Sequence, residues 1–228
     1  MSFQRFLFLV IATFLFLAGC ANGDGANGNL EVDPEADPVQ EEPSETEAEE
    51  PQEDPVDEEE ETQASPEEVA DEIVMALQKK EMETISDFVH PRKGVRFSPY
   101  AFVQVNDDKV FTAEEVADLF NDETVYNWGS FDGTGEPIEM TFEEYFERFV
   151  YDQDYVNAEQ KSVNERLGQG NTLDNTAEVY PEASVVEYHF ASFDPQYDGM
   201  DWRSLRLVLE NVDGTWYLVG VIHDEWTI

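Results

Sequence analysis

Apolar positions divide the chain into three stretches of different character. From Phe6 to Leu17 the apolar run is unbroken. About a dozen residues fall short of the roughly 20 that a membrane-spanning helix needs, and match the hydrophobic region of a secretory signal peptide. Residues 21–65 hold apolar side chains only singly. Periodic patterns begin at Val69. There Val69, Ile73, Ala76 and Leu77 recur at helical spacing, followed by a second set at Met82, Ile85, Phe88 and Val89. The spacing predicts a helix with a break near Lys80, ending before His90-Pro91, because proline disfavours a helical conformation at the residue before it.

Three helix starts are written into short motifs. Ser65-Pro66-Glu67-Glu68 sets a capping serine, a proline at the first helical position and a glutamate three residues on. Such a glutamate reaches back to the cap's own N–H. Thr112-Ala113-Glu114-Glu115 and Thr141-Phe142-Glu143-Glu144 repeat the device. After the third, Phe142, Tyr145, Phe146, Phe149 and Val150 form an apolar stripe, which reads as core packing.

Extended stretches lie between and after these helices. Gly94 to Val103 is one, interrupted by Pro99. Thr124–Phe131 and Pro137–Met140 flank the Asp132-Gly133-Thr134-Gly135 turn, and Ser184–Ala191 is a further strand. The chain closes with two long apolar runs around Asp213-Gly214, which predicts a hairpin on a two-residue turn. An uninterrupted ladder would set Leu205, Leu207 and Leu209 against Ile222, Gly220 and Leu218 on a face turned to the helices. It would pair Arg206 with Val221 and Ser204 with His223, and place Arg206, Tyr217 and His223 together on the other, mixed face. The stretch Asp152–Tyr180 has no evident place in this scheme. The expected fold class is α+β: a curved antiparallel sheet packed on N-terminal and mid-chain helices, ending in a long β-hairpin, over residues 66–228.

Charge narrows the function. The chain carries 53 acidic and 12 basic residues, a net charge of −41. That balance excludes nucleic acid as a partner, since binding it depends on neutralising phosphates. It also gives no electrostatic help on anionic lipid, so attachment to a membrane must be hydrophobic or covalent. Residues 21–65 contain 18 acids and no Lys or Arg, with many Pro, Gly, Asn and Ser. They cannot bury enough apolar surface to offset chain entropy, and read as a disordered tether.

The single cysteine, Cys20, follows Leu17-Ala18-Gly19 directly after the apolar run. This resembles the lipobox of bacterial lipoproteins. The resemblance implies a signal peptide over 1–19, transfer of a diacylglyceryl group to the Cys20 sulfur, and a tether over 20–65 held by lipid at the extracytoplasmic face of the cell membrane. Two acyl chains suffice for stable anchoring. The order of elements from residue 66 onward is similar to that of the cone-shaped α+β folds of the nuclear transport factor two-like superfamily, in which a curved sheet wraps helices around a pocket. The segments His90–Tyr100 and Trp216–Thr227 resemble stretches found in a group of bacterial lipoproteins. That resemblance supplies no catalytic residue.

The sequence has no metalloprotease, phosphate-loop or nucleophile-elbow motif. His223 and Arg206, with Tyr217, are candidates for the wall of a pocket. His189 shares a strand face with Glu187, and a carboxylate can orient an imidazole as a base. Asp194, Asp198 and Asp201 form an acidic loop that could offer oxygens to a cation. No cofactor is indicated. The leading reading is a tethered module that binds a small ligand, a glycan or an envelope protein. The alternative is a pocket enzyme of hydrolase or isomerase type that uses a histidine–carboxylate pair.

Overall fold

The computed structural model describes residues 63–227. The expectations for the signal peptide, for Cys20 and for nearly all of the tether lie outside the described residues.

Helix α1 (Pro66–Gln78) starts at Ser65, whose hydroxyl accepts from the Glu68 N–H at 3.2 Å, while the Glu68 carboxylate takes the Ser65 N–H at 2.8 Å. The expected break is a helix-ending turn. Lys80 stands in the left-handed region at φ +56°, and Lys80 and Glu81 donate back to the Leu77 and Ala76 carbonyls. Helix α2 (Met82–Phe88) follows. Thr112 and Thr141 form the same reciprocal cap for α3 (Ala113–Asp118) and α4 (Phe142–Phe149). A short α5 spans Thr176–Val179.

The strands are β1 (Val95–Ser98), β2 (Lys109–Phe111), β3 (Tyr126–Ser130), β4 (Pro137–Met140), β5 (Gln160–Val163), β6 (Ser184–Phe190), β7 (Arg203–Val212) and β8 (Thr215–Glu225). Six of them form one sheet in the order β2-β1-β8-β7-β6-β5, and β3 pairs with β4 apart from it. The fold is α+β with a C-terminal hairpin. The sheet is mixed, however, because β1 runs parallel to β8 while the other pairings are antiparallel. More than a hundred residues separate β1 from β8, so no tight turn forces an antiparallel pairing there.

The hairpin keeps the expected turn, with Val212 opposite Thr215 and Leu209 opposite Leu218. Beyond that point the expected ladder is wrong. The register shifts between Leu209 and Val208, where Val219 is an extra residue, so that Val208 faces Gly220, Arg206 faces Ile222 and Ser204 faces Asp224. The bulge exchanges the two faces of β8 from Gly220 to Glu225. His223 joins the helix-facing side and Asp224 joins Arg206 on the other.

The helix-facing side is packed with aromatic rings. Phe97, Trp128, Phe142, Tyr145 and Phe149 are all buried, and the Trp128 and Tyr145 rings stack at 3.8 Å between centroids. Edge contacts between Phe97, Phe142 and Tyr145 complete the layer. The opposite side carries a smaller cluster, Val103, Val208, Val219 and Ile222, with Val185 of β6 beside it and Val179, Tyr180 and Ala183 packed against it. The stretch without an evident place therefore has two roles. Its middle supplies the edge strand β5, and residues 164–183 roof the second face of the sheet. Asn175 ties this roof to the loop after β1 through hydrogen bonds to the Val103 N–H and C=O at 2.7 and 3.1 Å.

Candidate functional site

The second face of the sheet holds the most heavily connected polar group in the domain. Strand alternation puts Glu187 and His189 of β6 and Ser204 and Arg206 of β7 on one side, with Glu187 opposite Arg206 and His189 opposite Ser204. All four are buried. Arg206 Nη2 donates to Asp224 Oδ2 at 2.8 Å, to the Gly168 carbonyl at 3.0 Å and to Glu187 Oε1 at 3.2 Å. Its Nε lies 3.2 Å from Glu187 Oε2 without the alignment of a hydrogen bond. Glu187 also receives the Leu167 and Gly168 N–H groups, both at 2.8 Å, and the Ser204 hydroxyl at 2.6 Å. Arg166 reaches Asp224 Oδ2 at 3.0 Å from the roof.

Burial and charge oppose each other here. Burial would raise the Glu187 carboxyl, but the Arg206 charge and the hydrogen bonds outweigh it and hold the pKa below the ordinary value. At Asp224 burial prevails over Arg206 and Arg166, and its pKa is raised. The difference follows from partners: Glu187 has donors on both oxygens, whereas Asp224 Oδ1 is buried with none.

His189 and Glu187 meet only through Ser204. The Ser204 proton goes to Glu187, so His189 Nδ1, 2.8 Å away, is the donor to Ser204 Oγ. Burial lowers the His189 pKa and favours the neutral ring. Gly168 sits directly on this group. A Cβ there would lie 2.5 Å from Ser204 Oγ and 2.5 Å from the Trp202 ring. The chain thus closes over Ser204, leaving no room for a substrate at its hydroxyl. Gly168→Ala should destabilise the domain by about 1–3 kcal/mol through overpacking, measured as a lowered urea midpoint. An unchanged midpoint would mean that the roof is not held this closely.

Beside this group, between the roof and the sheet, lies a cavity of about 490 Å³. That is within the roughly 300–1,000 Å³ usual for small-molecule sites. Its floor includes Glu187 and Arg206, and Arg166 and Asp174 stand on its wall. Tyr180, Pro181, Ala183 and Val185 give it an apolar side. Arg206 and Thr176 of its lining each carry a buried polar atom, Nη1 and Oγ1, that has no hydrogen-bond partner among the described residues. Buried donors are rarely left unpaired, so each calls for an occupant or an explanation.

The other candidates are dispersed. His223 is fully buried on the opposite face, with Nδ1 3.3 Å from the Pro99 carbonyl, Nε2 3.4 Å from Asp152 Oδ2 and its ring edge on Phe149. Its expected place beside Arg206 is overturned by the bulge at Val219. Asp152 also receives Arg203 Nε at 3.1 Å and the Tyr155 hydroxyl at 2.7 Å. Burial would raise its carboxyl, yet His223, Tyr155 and Arg203 together lower it. Glu225 continues this second network, joining Arg203 at 3.1 Å and Arg148 at 2.5 Å. Tyr217 stands opposite Glu210, four residues along β7 from Arg206, or about 13 Å at the usual strand rise. Its ring edge meets His90.

The acidic loop uses its carboxylates on itself. Asp201 accepts from the Ser192 hydroxyl and the Phe193 and Asp194 N–H groups, and Asp194 caps the turn at Gln196. Asp198 is the left-handed residue that ends this turn, at φ +50°. The cation expectation for Asp194, Asp198 and Asp201 is not supported: among the described residues, no group of three or more His, Cys, Asp or Glu is placed to hold a metal ion.

Sequence reading thus reached Glu187, His189 and Arg206 but missed Arg166, Asp174, Thr176 and Asp224. A signal for Asp224 existed. A buried arginine between leucines needs more than one acceptor in reach.

Comparison with known proteins adds little. No family model matches the chain, and no curated protein matches it. Among solved structures, one described as a calcium/calmodulin-dependent protein kinase II association domain, from Xanthomonas campestris, is 17% identical with a TM-score of 0.28. It covers 70% of this chain and 83% of its own. A DUF4783 family protein from Bacteroides ovatus is 10% identical with a TM-score of 0.25, covering 67% and 91%. Likeness at this level carries no functional argument.

Proposed function

We propose that the domain is a binding module for a small ligand, taken up in the cavity between the roof and the second face of the sheet. The observation that carries this reading is the cavity's inventory: two buried polar atoms without partners beside an apolar wall. Such a combination of a few placed polar groups with apolar surface is the usual make-up of a ligand site. The packed aromatic interior and the enclosed histidines favour binding over catalysis. His223 has no exposed surface, and His189 is engaged with Ser204 under Gly168. The same proposal has the chain anchored by lipid on Cys20 at the extracytoplasmic face, with residues 20–65 as a spacer. That part rests on the lipobox alone, and mass spectrometry of the mature N-terminus tests it: an unmodified cysteine there ends it.

The cavity is tested by recording amide chemical shifts of the full-length chain against monosaccharides, free amino acids and short carboxylic acids. At least one class should shift the amides of residues 164–185. Ala177→Trp, which places a large side chain at a lining position, should abolish the shifts. Shifts confined to other surfaces, or untouched by this substitution, would overturn the reading.

A further inference from the structure

We infer that the cavity takes a small zwitterion of the amino-acid type, its carboxylate on Arg206 and its ammonium at Asp174. This rests on the binding-module reading.

The argument starts from what the cavity lacks. Arg206 lines the cavity floor, and its Nη1 is a buried charged donor without a partner among the described residues. The partner that suits a guanidinium is an oxygen acceptor, best a carboxylate, which forms charge-assisted hydrogen bonds. The Thr176 hydroxyl, also buried and unpaired on the lining, offers a second donor to the same group.

A simple anion fits poorly, however. The charges of Arg206 and Arg166 are already answered by Glu187 and Asp224. Asp174 adds a negative charge, and the chain from Pro66 onward holds 35 acids against 11 bases. The ligand must therefore bring a cation with its carboxylate. Asp174 is placed for that role. Its Oδ1 accepts the Thr176 N–H at 2.8 Å, while Oδ2 accepts no hydrogen bond among the described residues and has Arg166 Nε at 3.7 Å. An ammonium can donate to Oδ2 without displacing a hydrogen bond. The apolar wall of Tyr180, Pro181 and Val185 then receives an aliphatic side chain.

L-leucine is the probe, measured by calorimetry on the full-length chain. Two analogues each lack one charge: 4-methylpentanoate has no ammonium and 3-methylbutylamine no carboxylate. Each should bind at least tenfold more weakly than leucine, a difference of about 1.4 kcal/mol. Asp174→Asn keeps the acceptor for the Thr176 N–H and removes the charge. It should weaken leucine binding several-fold while leaving 4-methylpentanoate unchanged or tighter. Thr176→Val, nearly isosteric, should weaken both carboxylates and spare the amine. The inference is overturned if 4-methylpentanoate binds as well as leucine, or if Asp174→Asn leaves leucine binding intact. Monosaccharide shifts at residues 164–185 with leucine silent would overturn the zwitterion and leave the binding module standing. No probe reaching the cavity would end both.

Discussion

Arg206→Ala is expected to cost the domain about 3–5 kcal/mol, the usual loss when one partner of a buried ion pair is removed. Arg206 is 1% exposed, and its guanidinium lies between Glu187 and Asp224, which are as enclosed. Removing it leaves two buried carboxylates and takes one of two donors from the Gly168 carbonyl, which keeps Arg166 Nε at 2.7 Å. The two acids are not equally harmed. Glu187 keeps the Leu167 and Gly168 N–H groups and the Ser204 hydroxyl, whereas Asp224 retains only Arg166. Asp224 should therefore account for more of the loss. Adding Asp224→Asn to Arg206→Ala should recover a larger part of the stability than adding Glu187→Gln. Urea denaturation of the four proteins measures this. A single-variant loss below about 1 kcal/mol would show that Arg206 gains no more from its partners than surface pairs do.

The second large effect is a dependence on pH through Asp108. Burial pushes its pKa up from 3.8 to about 6, against the Ser98 hydroxyl at 2.6 Å and the Gln104 N–H at 2.9 Å, both of which donate to Oδ2. Oδ1 is buried with no partner. The folded protein thus holds this proton more tightly than the unfolded chain. Below pH 3.8 the acid is protonated in both states and costs nothing. As pH rises from 3.8 to 6 the folded state must either keep the proton or bury a charge, so stability is lost progressively. Above pH 6 the full penalty stands, about 3 kcal/mol for a shift of this size. Asp108→Asn removes the titration. The stability of the variant minus that of the wild type should rise by about 2.4 kcal/mol between pH 4 and pH 7. A difference that stays flat across this range would refute the assignment.

Much of the secondary structure is legible along the chain because its causes are local. The caps at Ser65, Thr112 and Thr141 each need only a side chain and a glutamate three residues on, and all three form. The break at Lys80 and the turn at Asp213-Gly214 depend on a few neighbouring dihedrals. The strands β2 and β5 were not legible. They are short edge strands with largely exposed side chains, and nothing in their composition alternates. Of the candidate site, the parity of Glu187 and His189 on one strand, and of Ser204 and Arg206 on another, follows from strand geometry alone.

What the amino-acid order determines by itself is therefore the local grammar: where helices begin, where the hairpin turns, and which residues of each strand share a face. The charge balance and the resemblance of Leu17–Cys20 to a lipobox belong to that level too. The tertiary structure alone decides the register beyond Val219, and with it the partners of Arg206 and His223. The physical reason lies in Val219, Gly220, Val221 and Ile222, which are all buried because both faces of β8 are covered. An alternation of apolar and polar residues selects a register only where one face meets water. With helices on one side and the roof on the other, a one-residue slip exposes nothing. It does exchange a histidine for an aspartate opposite Ser204, and that aspartate supplies the buried Arg206 with its second acid.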